Sequence, residues 1–66
     1  MLNERIRELR SSRGMKQSEL AKLVGMNQTQ ISKVERGERK LKADEVAKFA
    51  KALHVPIAEL YEESAS

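Results

Sequence analysis

The chain has 66 residues, enough for one domain and close to the lower limit at which a core suffices without disulfides or metal. It has no cysteine, which excludes a disulfide framework and a zinc finger, and its 35% charged residues and weak β-propensity favour an all-α fold. The net charge of +3 is unevenly spread, because residues 1–42 carry eleven Lys and Arg against five acids, whereas residues 43–66 carry two against five.

The first predicted helix runs from about Asn3 to Arg13. Asn3 is expected to cap it, and Gly14 is expected to end it. Its apolar stripe consists of Leu2, Ile6 and Leu9.

A second helix is predicted from Lys16 to Val24. Glu19 lies in its first turn, where the helix dipole favours an acid, and Gly25 can end it in the left-handed conformation. Four apolar residues recur at helical spacing: Leu20, Ala21, Leu23 and Val24.

The stretch from Gly25 to Gly37 predicts a third helix. Asn27 and Gln30 have the spacing of a capping box, and Met26 and Ile31 that of a hydrophobic staple. Only Ile31 and Val34 form an apolar stripe, so the helix needs support from the one before it. Its outward side carries groups that hydrogen-bond to bases and phosphates: Gln28, Thr29, Ser32, Lys33 and Arg36.

A basic loop follows, in which Arg39 and Lys40 are placed to contact a phosphate backbone and Leu41 to anchor the loop in the core. The alternative is a solvated loop that is basic by chance. The fourth helix is predicted from Ala43 to Leu53, with Phe49 at the centre of the core.

Pro56 starts a last short helix that carries Ile57, Leu60 and Tyr61 on one side. This is more apolar surface than a short terminal helix can bury on its own core, so we expect these three residues to form a homodimer interface. Part of this side should cap Phe49 and Leu53, and the remainder, Tyr61 especially, should face the partner. The alternative is that all three close the core of the monomer. We expect a domain over residues 1–62 and a frayed polar tail at 63–66.

The two short helices around Gly25 have the arrangement of a helix-turn-helix. The chain resembles the Cro/cI-type (XRE) helix-turn-helix family of phage repressors and bacterial regulators over about Ile6 to Tyr61. The matched positions are Gln17, Leu20, Ala21, Gly25, Ile31, Val34, Glu35 and Gly37. The resemblance implies a compact, lambda-repressor-like bundle of five short helices.

The resemblance also implies an ion pair between Arg10 and Glu35, although both could be ordinary surface charges. The family's usual Ser or Thr cap of the second helix is replaced by Lys16. Either Ser18 caps one turn late, or the first turn is left to solvent or to a bound phosphate. His54 stands where the family commonly has Gly, and we expect it to take the left-handed cap conformation.

The implied partner is double-stranded DNA, with the third helix in the major groove. Gln28, Thr29 and Lys33 are the predicted base-reading residues, with Ser32 a weaker one. The predicted phosphate contacts are Gln17, Asn27, Arg36, Arg39 and Lys40.

We therefore expect a sequence-specific transcriptional regulator, most simply a repressor, acting as a homodimer on a palindromic operator in the cytoplasm. The alternative is a protein-interaction module on the same fold without DNA binding, such as an antitoxin-type protein. With one His, no Cys and no room for a deep pocket, we expect no enzyme, no catalytic or metal site, no cofactor and no small-molecule ligand. Nothing in the sequence suggests a membrane segment or a signal peptide. The sequence does not separate restriction-modification controllers, phage-type repressors and antitoxins.

Overall fold

The computed structural model describes residues 2–61. Its helices begin and end close to the predicted positions. These residues form five α-helices and no strand: α1 (Leu2–Ser12), α2 (Gln17–Val24), α3 (Gln28–Glu35), α4 (Ala43–Leu53) and α5 (Ile57–Leu60). The all-α, five-helix architecture is thereby confirmed. The expected tail at 63–66 and the boundary at 62 lie outside the described residues. No helix within 2–61 is long and apolar enough to span a membrane.

The ends of α3 and α4 have the expected caps. Asn27 Oδ1 accepts the Gln30 amide at 2.8 Å, and Gln30 Oε1 accepts the Asn27 amide at 3.0 Å, which completes the capping box. His54 ends α4 in the left-handed conformation, with φ 59° and ψ 44°, and its amide donates to the carbonyls of Ala50 and Lys51. Local sequence is therefore enough to fix these ends.

The start of α1 differs from the prediction. Asn3 lies inside the helix rather than capping it, because its side-chain amide donates to the carbonyl of Glu35 at the end of α3. Gly37 makes this approach possible. Its φ is +77°, and a Cβ there would lie 3.2 Å from Asn3 Nδ2.

Phe49 is fully buried at the centre of a core to which all five helices contribute. Its fully buried partners are Ile6 of α1, Leu20 of α2, Ile31 of α3, Leu53 of α4 and Leu60 of α5. Leu41 is partly buried and packs against this core, so the basic loop is anchored as expected.

Leu23 and Leu60 occupy positions that spacing alone did not predict. Leu23 recurs with the apolar residues of α2 but is 60% exposed. Leu60 was expected at a dimer interface but is fully buried in the chain's own core. The expectation for Leu60 is wrong in this respect, because the side of α5 that carries it packs onto α4 and α1.

Arg5 holds α5 against α1. Its Nε donates to the carbonyl of Glu59 at 3.2 Å, and its Nη2 donates to the Glu59 carboxylate at 3.0 Å. A four-residue helix has little intrinsic stability. This long-range contact, together with burial of Leu60, therefore fixes its place in the fold.

Candidate nucleic-acid interface

α2 and α3 pack against each other across a turn that begins at Gly25. Gly25 has φ 74°, and the next amide, that of Met26, donates to the Ala21 carbonyl at 2.9 Å. Met26 is partly buried against the core and Ile31 is fully buried, as expected of a staple. The apolar side of α3 is thus held against the bundle, and its polar side faces outward.

The predicted base-reading residues lie on this outward side. Gln28, Thr29 and Lys33 are exposed, and the structure gives their side chains no hydrogen bond or ion pair within residues 2–61. At about 100° per residue they span an arc of about 140° that begins at the helix N-terminus. They therefore form a continuous surface with free donors and acceptors.

Ser32 belongs to the same side but is less available. It is half-buried, and its Oγ accepts a hydrogen bond of 2.5 Å from Arg36 Nη1. A base can reach the hydroxyl only where Arg36 moves or shares it.

The three predicted phosphate contacts that follow α3 divide into two kinds. Lys40 is exposed and has no bonded partner in the described part of the chain. Arg36 and Arg39 each bond a carboxylate. Arg36 Nε lies 2.8 Å from Glu38 Oε2, and Arg39 Nη2 lies 2.9 Å from Glu45 Oε2.

These hydrogen bonds lower the pKa of both acids, Glu38 and Glu45. The hydrogen bond from Arg36, followed by the Arg36 charge, lowers the pKa of the Glu38 carboxyl. The same hydrogen bond, followed by the Glu38 charge, raises the pKa of the Arg36 guanidinium. The hydrogen bond from Arg39 and then that from the Lys42 amide lower the pKa of Glu45. Both acids are therefore ionised near neutral pH and compete with any anion for these arginines.

The start of α2 supplies further donors. Lys16 makes no side-chain cap bond, and Ser18 is an exposed helical residue rather than a cap. Glu19 Oε1 accepts the Lys16 amide at 2.8 Å, whereas the amides of Gln17 and Ser18 have no partner within residues 2–61. The first turn is therefore open, the second of the two expected alternatives, and unbonded amides at a helix N-terminus favour an anion.

Arg10 and Glu35 lie behind this surface and bond each other in a bidentate arrangement. Arg10 Nε lies 2.6 Å from Glu35 Oε2, and Nη2 lies 3.0 Å from Oε1. Arg10 Nη1 also donates to the Met15 carbonyl at 2.7 Å, and Gln17 Nε2 donates to Glu35 Oε1 at 3.1 Å. One buried carboxylate thus connects α1, the start of α2 and the end of α3.

Gln17, a predicted phosphate contact, consequently donates part of its side-chain amide to an acceptor inside the protein. It is half-buried, and one amide hydrogen is directed to Glu35. The amide group has a second hydrogen that remains for an external acceptor. The other predicted contact at the turn, Asn27, is exposed but uses its side-chain oxygen in the cap.

α5 and its C-cap residue Tyr61 present two of the three predicted interface residues. Ile57 is 45% exposed and Tyr61 is 57% exposed, while Leu60 points into the core. Sequence reasoning missed Arg5, Glu38, Glu45 and Glu59 as pairing residues. Local spacing could have shown Arg36 with Glu38, at i,i+2, and the further contact of Arg5 with Glu8, at i,i+3 and 3.7 Å. The pairs of Arg5 with Glu59 and of Arg39 with Glu45 had no such signal.

The comparisons with known proteins agree with this geometry. The helix-turn-helix family HTH_3 matches residues 6–60. The transcriptional repressor RstR of the cryptic phage CTXphi, from Vibrio cholerae, is 38% identical over 64 residues, which are 97% of this chain. The chain spans 58% and 52% of the lengths of two curated relatives that it matches.

Two solved structures extend the likeness to the backbone. The restriction-modification controller protein C.AhdI from Aeromonas hydrophila is 37% identical with a TM-score of 0.85, over 89% of both chains. The P22 c2 repressor, solved in complex with a synthetic operator, is 32% identical with a TM-score of 0.83, over 91% of both chains.

Proposed function

The chain belongs to the HTH_3 helix-turn-helix family, and we propose that it is a sequence-specific double-stranded-DNA-binding regulator that represses transcription as a homodimer on a palindromic operator. One observation carries the proposal. The outward side of α3 has exposed polar and basic side chains without partners in residues 2–61, held on a buried scaffold that does not need them. The P22 c2 repressor, which has the same backbone fold, was solved with an operator.

In the proposed complex the N-terminal part of α3 enters the major groove and α2 crosses the DNA backbone. Gln28 can pair bidentately with adenine, Lys33 can donate to guanine, and the Thr29 methyl can pack on a thymine methyl. Ser32 can contribute a hydroxyl once Arg36 has moved to a phosphate.

The phosphate contacts hold this helix in register without reading sequence. The open first turn of α2 offers the amides of Gln17 and Ser18 to one phosphate, with the second hydrogen of the Gln17 side chain beside them. On the other side of α3, Lys40 is free, whereas Arg36 and Arg39 must exchange their carboxylates for phosphates. Asn27 can add its side-chain amide hydrogens at the turn.

Homodimerisation is proposed through α5. A single 66-residue domain reads only a short half-site, which carries too little information to select one operator among many competing sites. Ile57 at the start of α5 and Tyr61 at its C-cap are exposed, and Leu60 and Arg5 fix the position of this helix, so the two residues offer a preformed apolar surface to a second copy. A two-fold contact through this surface is self-complementary and would place two recognition helices about 34–36 Å apart.

The decisive experiment selects DNA from a pool of random-sequence duplexes and then titrates the binding of the enriched duplex with salt. We expect an enriched inverted repeat and a log–log slope of affinity against salt of about −6 to −9, as for a dimer that neutralises about 7–10 phosphates. An unselected duplex of the same length is the control for non-specific binding. A slope near zero, or a selection that enriches no sequence, contradicts the proposal.

A further inference from the structure

A second surface lies on α2 and α4, away from the side of α3 described above. The C-terminal ends of these helices border a groove of about 620 Å³. Leu23 and Ala52 give it an apolar wall, and Leu23 is 60% exposed, the highest exposure among the large hydrophobic residues in the described part of the chain. More than half of the surface of this leucine is therefore left uncovered by the described part of the chain.

The charged residues that line this groove are of one sign. Lys22, Lys48 and Lys51 line the groove, and none of the acids among residues 2–61 does. None of the three lysines forms an ion pair within residues 2–61, unlike Arg36 and Arg39, which both have a carboxylate. Unpaired cations beside an apolar wall create a local positive potential that favours an anionic group.

The groove is separate from the surfaces assigned above. It includes Gly25, where the turn to α3 begins, but no residue of α3 or of the basic loop, and neither Ile57 nor Tyr61. DNA phosphates would engage the lysines but would leave most of Leu23 in water, because the sugar–phosphate backbone offers only the small apolar faces of its deoxyriboses, each next to a charged phosphate. A protein segment that carries both acids and an apolar side chain satisfies both features.

We propose that this groove binds an acidic segment of a partner protein that carries an apolar side chain. The carboxylates of the segment pair with Lys22, Lys48 and Lys51, and the apolar side chain packs against Leu23 and Ala52. The inference does not rest on DNA binding, so it stands or falls separately from the function proposed above.

The test uses the full chain labelled with ¹⁵N and a short synthetic peptide of glutamates with leucines at helical spacing. We expect amide shifts to cluster at Lys22–Gly25 and Lys48–His54. A matched peptide with lysines in place of the glutamates should leave these signals unmoved. Shifts centred on α3 and the basic loop would mean that the peptide only mimics a DNA polyanion, and would overturn the proposal.

Two variants test the apolar and the charged contacts separately. Leu23→Ser and the double variant Lys48→Gln/Lys51→Gln should each weaken peptide binding by about tenfold. Both change exposed side chains, so circular dichroism should report an unchanged fold. The matched control is Arg7→Gln/Lys42→Gln, which removes two exposed charges outside the groove and should retain peptide affinity.

The remaining outcomes also decide the matter. Equal loss of affinity in the control variant would show that only net charge attracts the peptide, and would overturn the proposal. A fall in sedimenting mass for Leu23→Ser would identify the occupant as a second copy of this chain instead. Loss of duplex-DNA binding in Lys48→Gln/Lys51→Gln would assign the lysines to DNA.

Discussion

The pair Arg10 and Glu35 offers the sharpest test of how the DNA-facing helices are held. Arg10→Met removes three hydrogen bonds, two to the Glu35 carboxylate and one to the Met15 carbonyl. The Glu35 side chain is only 3% exposed, so its charge stays in the interior, with Gln17 as its one remaining side-chain donor among residues 2–61. Loss of one partner of a buried pair costs about 3–5 kcal/mol, mostly because the other charge is stranded.

This loss is large for so small a domain. At roughly 0.05–0.15 kcal/mol per residue, the whole free energy of unfolding is about 3–10 kcal/mol. The single variant Glu35→Leu should cost less, because Arg10 is 16% exposed and keeps its bond to the Met15 carbonyl. The double variant removes both charges and should recover much of the loss, which predicts a coupling free energy of about 2–3 kcal/mol.

The assay is urea denaturation of the four proteins of the double-mutant cycle, followed by circular dichroism. The control cycle uses Arg36→Met and Glu38→Leu, a pair with similar bond lengths whose side chains are both more than half exposed. Solvent screening should make the coupling in that cycle much smaller. A coupling for Arg10 and Glu35 no larger than that of the control would refute the reasoning.

Three further predictions concern the DNA contacts and assembly. Gln28→Ala and Lys33→Ala should each relax base preference at one half-site position, with a loss of about 1–3 kcal/mol in discrimination between operator variants. Lys40→Ala should instead weaken binding to all operator variants alike. If all three variants weaken every operator equally, the base-reading residues are misassigned. Glu38→Gln should strengthen binding to every duplex in the same assay, because Arg36 is then free for phosphate, and unchanged affinity would argue against that contact. Tyr61→Asp should stay folded by circular dichroism but sediment at half the mass, and a persistent dimer would place the interface elsewhere.

The helix ends were predictable where the determining contacts are local. The capping box of Asn27 with Gln30 and the left-handed end at His54 depend on residues within one turn, so sequence patterns describe them fully. Asn3 was misread because its partner, the Glu35 carbonyl, is 32 residues away. A residue suited to capping was used instead for a tertiary hydrogen bond.

The side of α5 that faces the core could not be read from spacing. Ile57, Leu60 and Tyr61 recur at i, i+3 and i+4, so they share one side of a helix whichever of them is buried. The choice depends on how α5 is rotated against α1 and α4, and the contact that helps to fix its position joins Arg5 to Glu59 across 54 residues. No periodicity in the sequence carries that information.

The number of Lys and Arg in the first 42 residues likewise overstates how many cations are free to contact DNA. Of these eleven cations, four bond carboxylates in the described part of the chain: Arg5, Arg10, Arg36 and Arg39. Two of these, Arg36 and Arg39, are predicted phosphate contacts. An arginine that must leave a carboxylate to bind a phosphate contributes less binding free energy than a cation without a partner. Affinity should therefore depend on the free Lys33 and Lys40 and on the open amides of α2 more than the sequence charge suggests. Glu38 and Glu45 would then limit the affinity for any duplex, whereas the outward side of α3 would determine which duplex sequence is preferred.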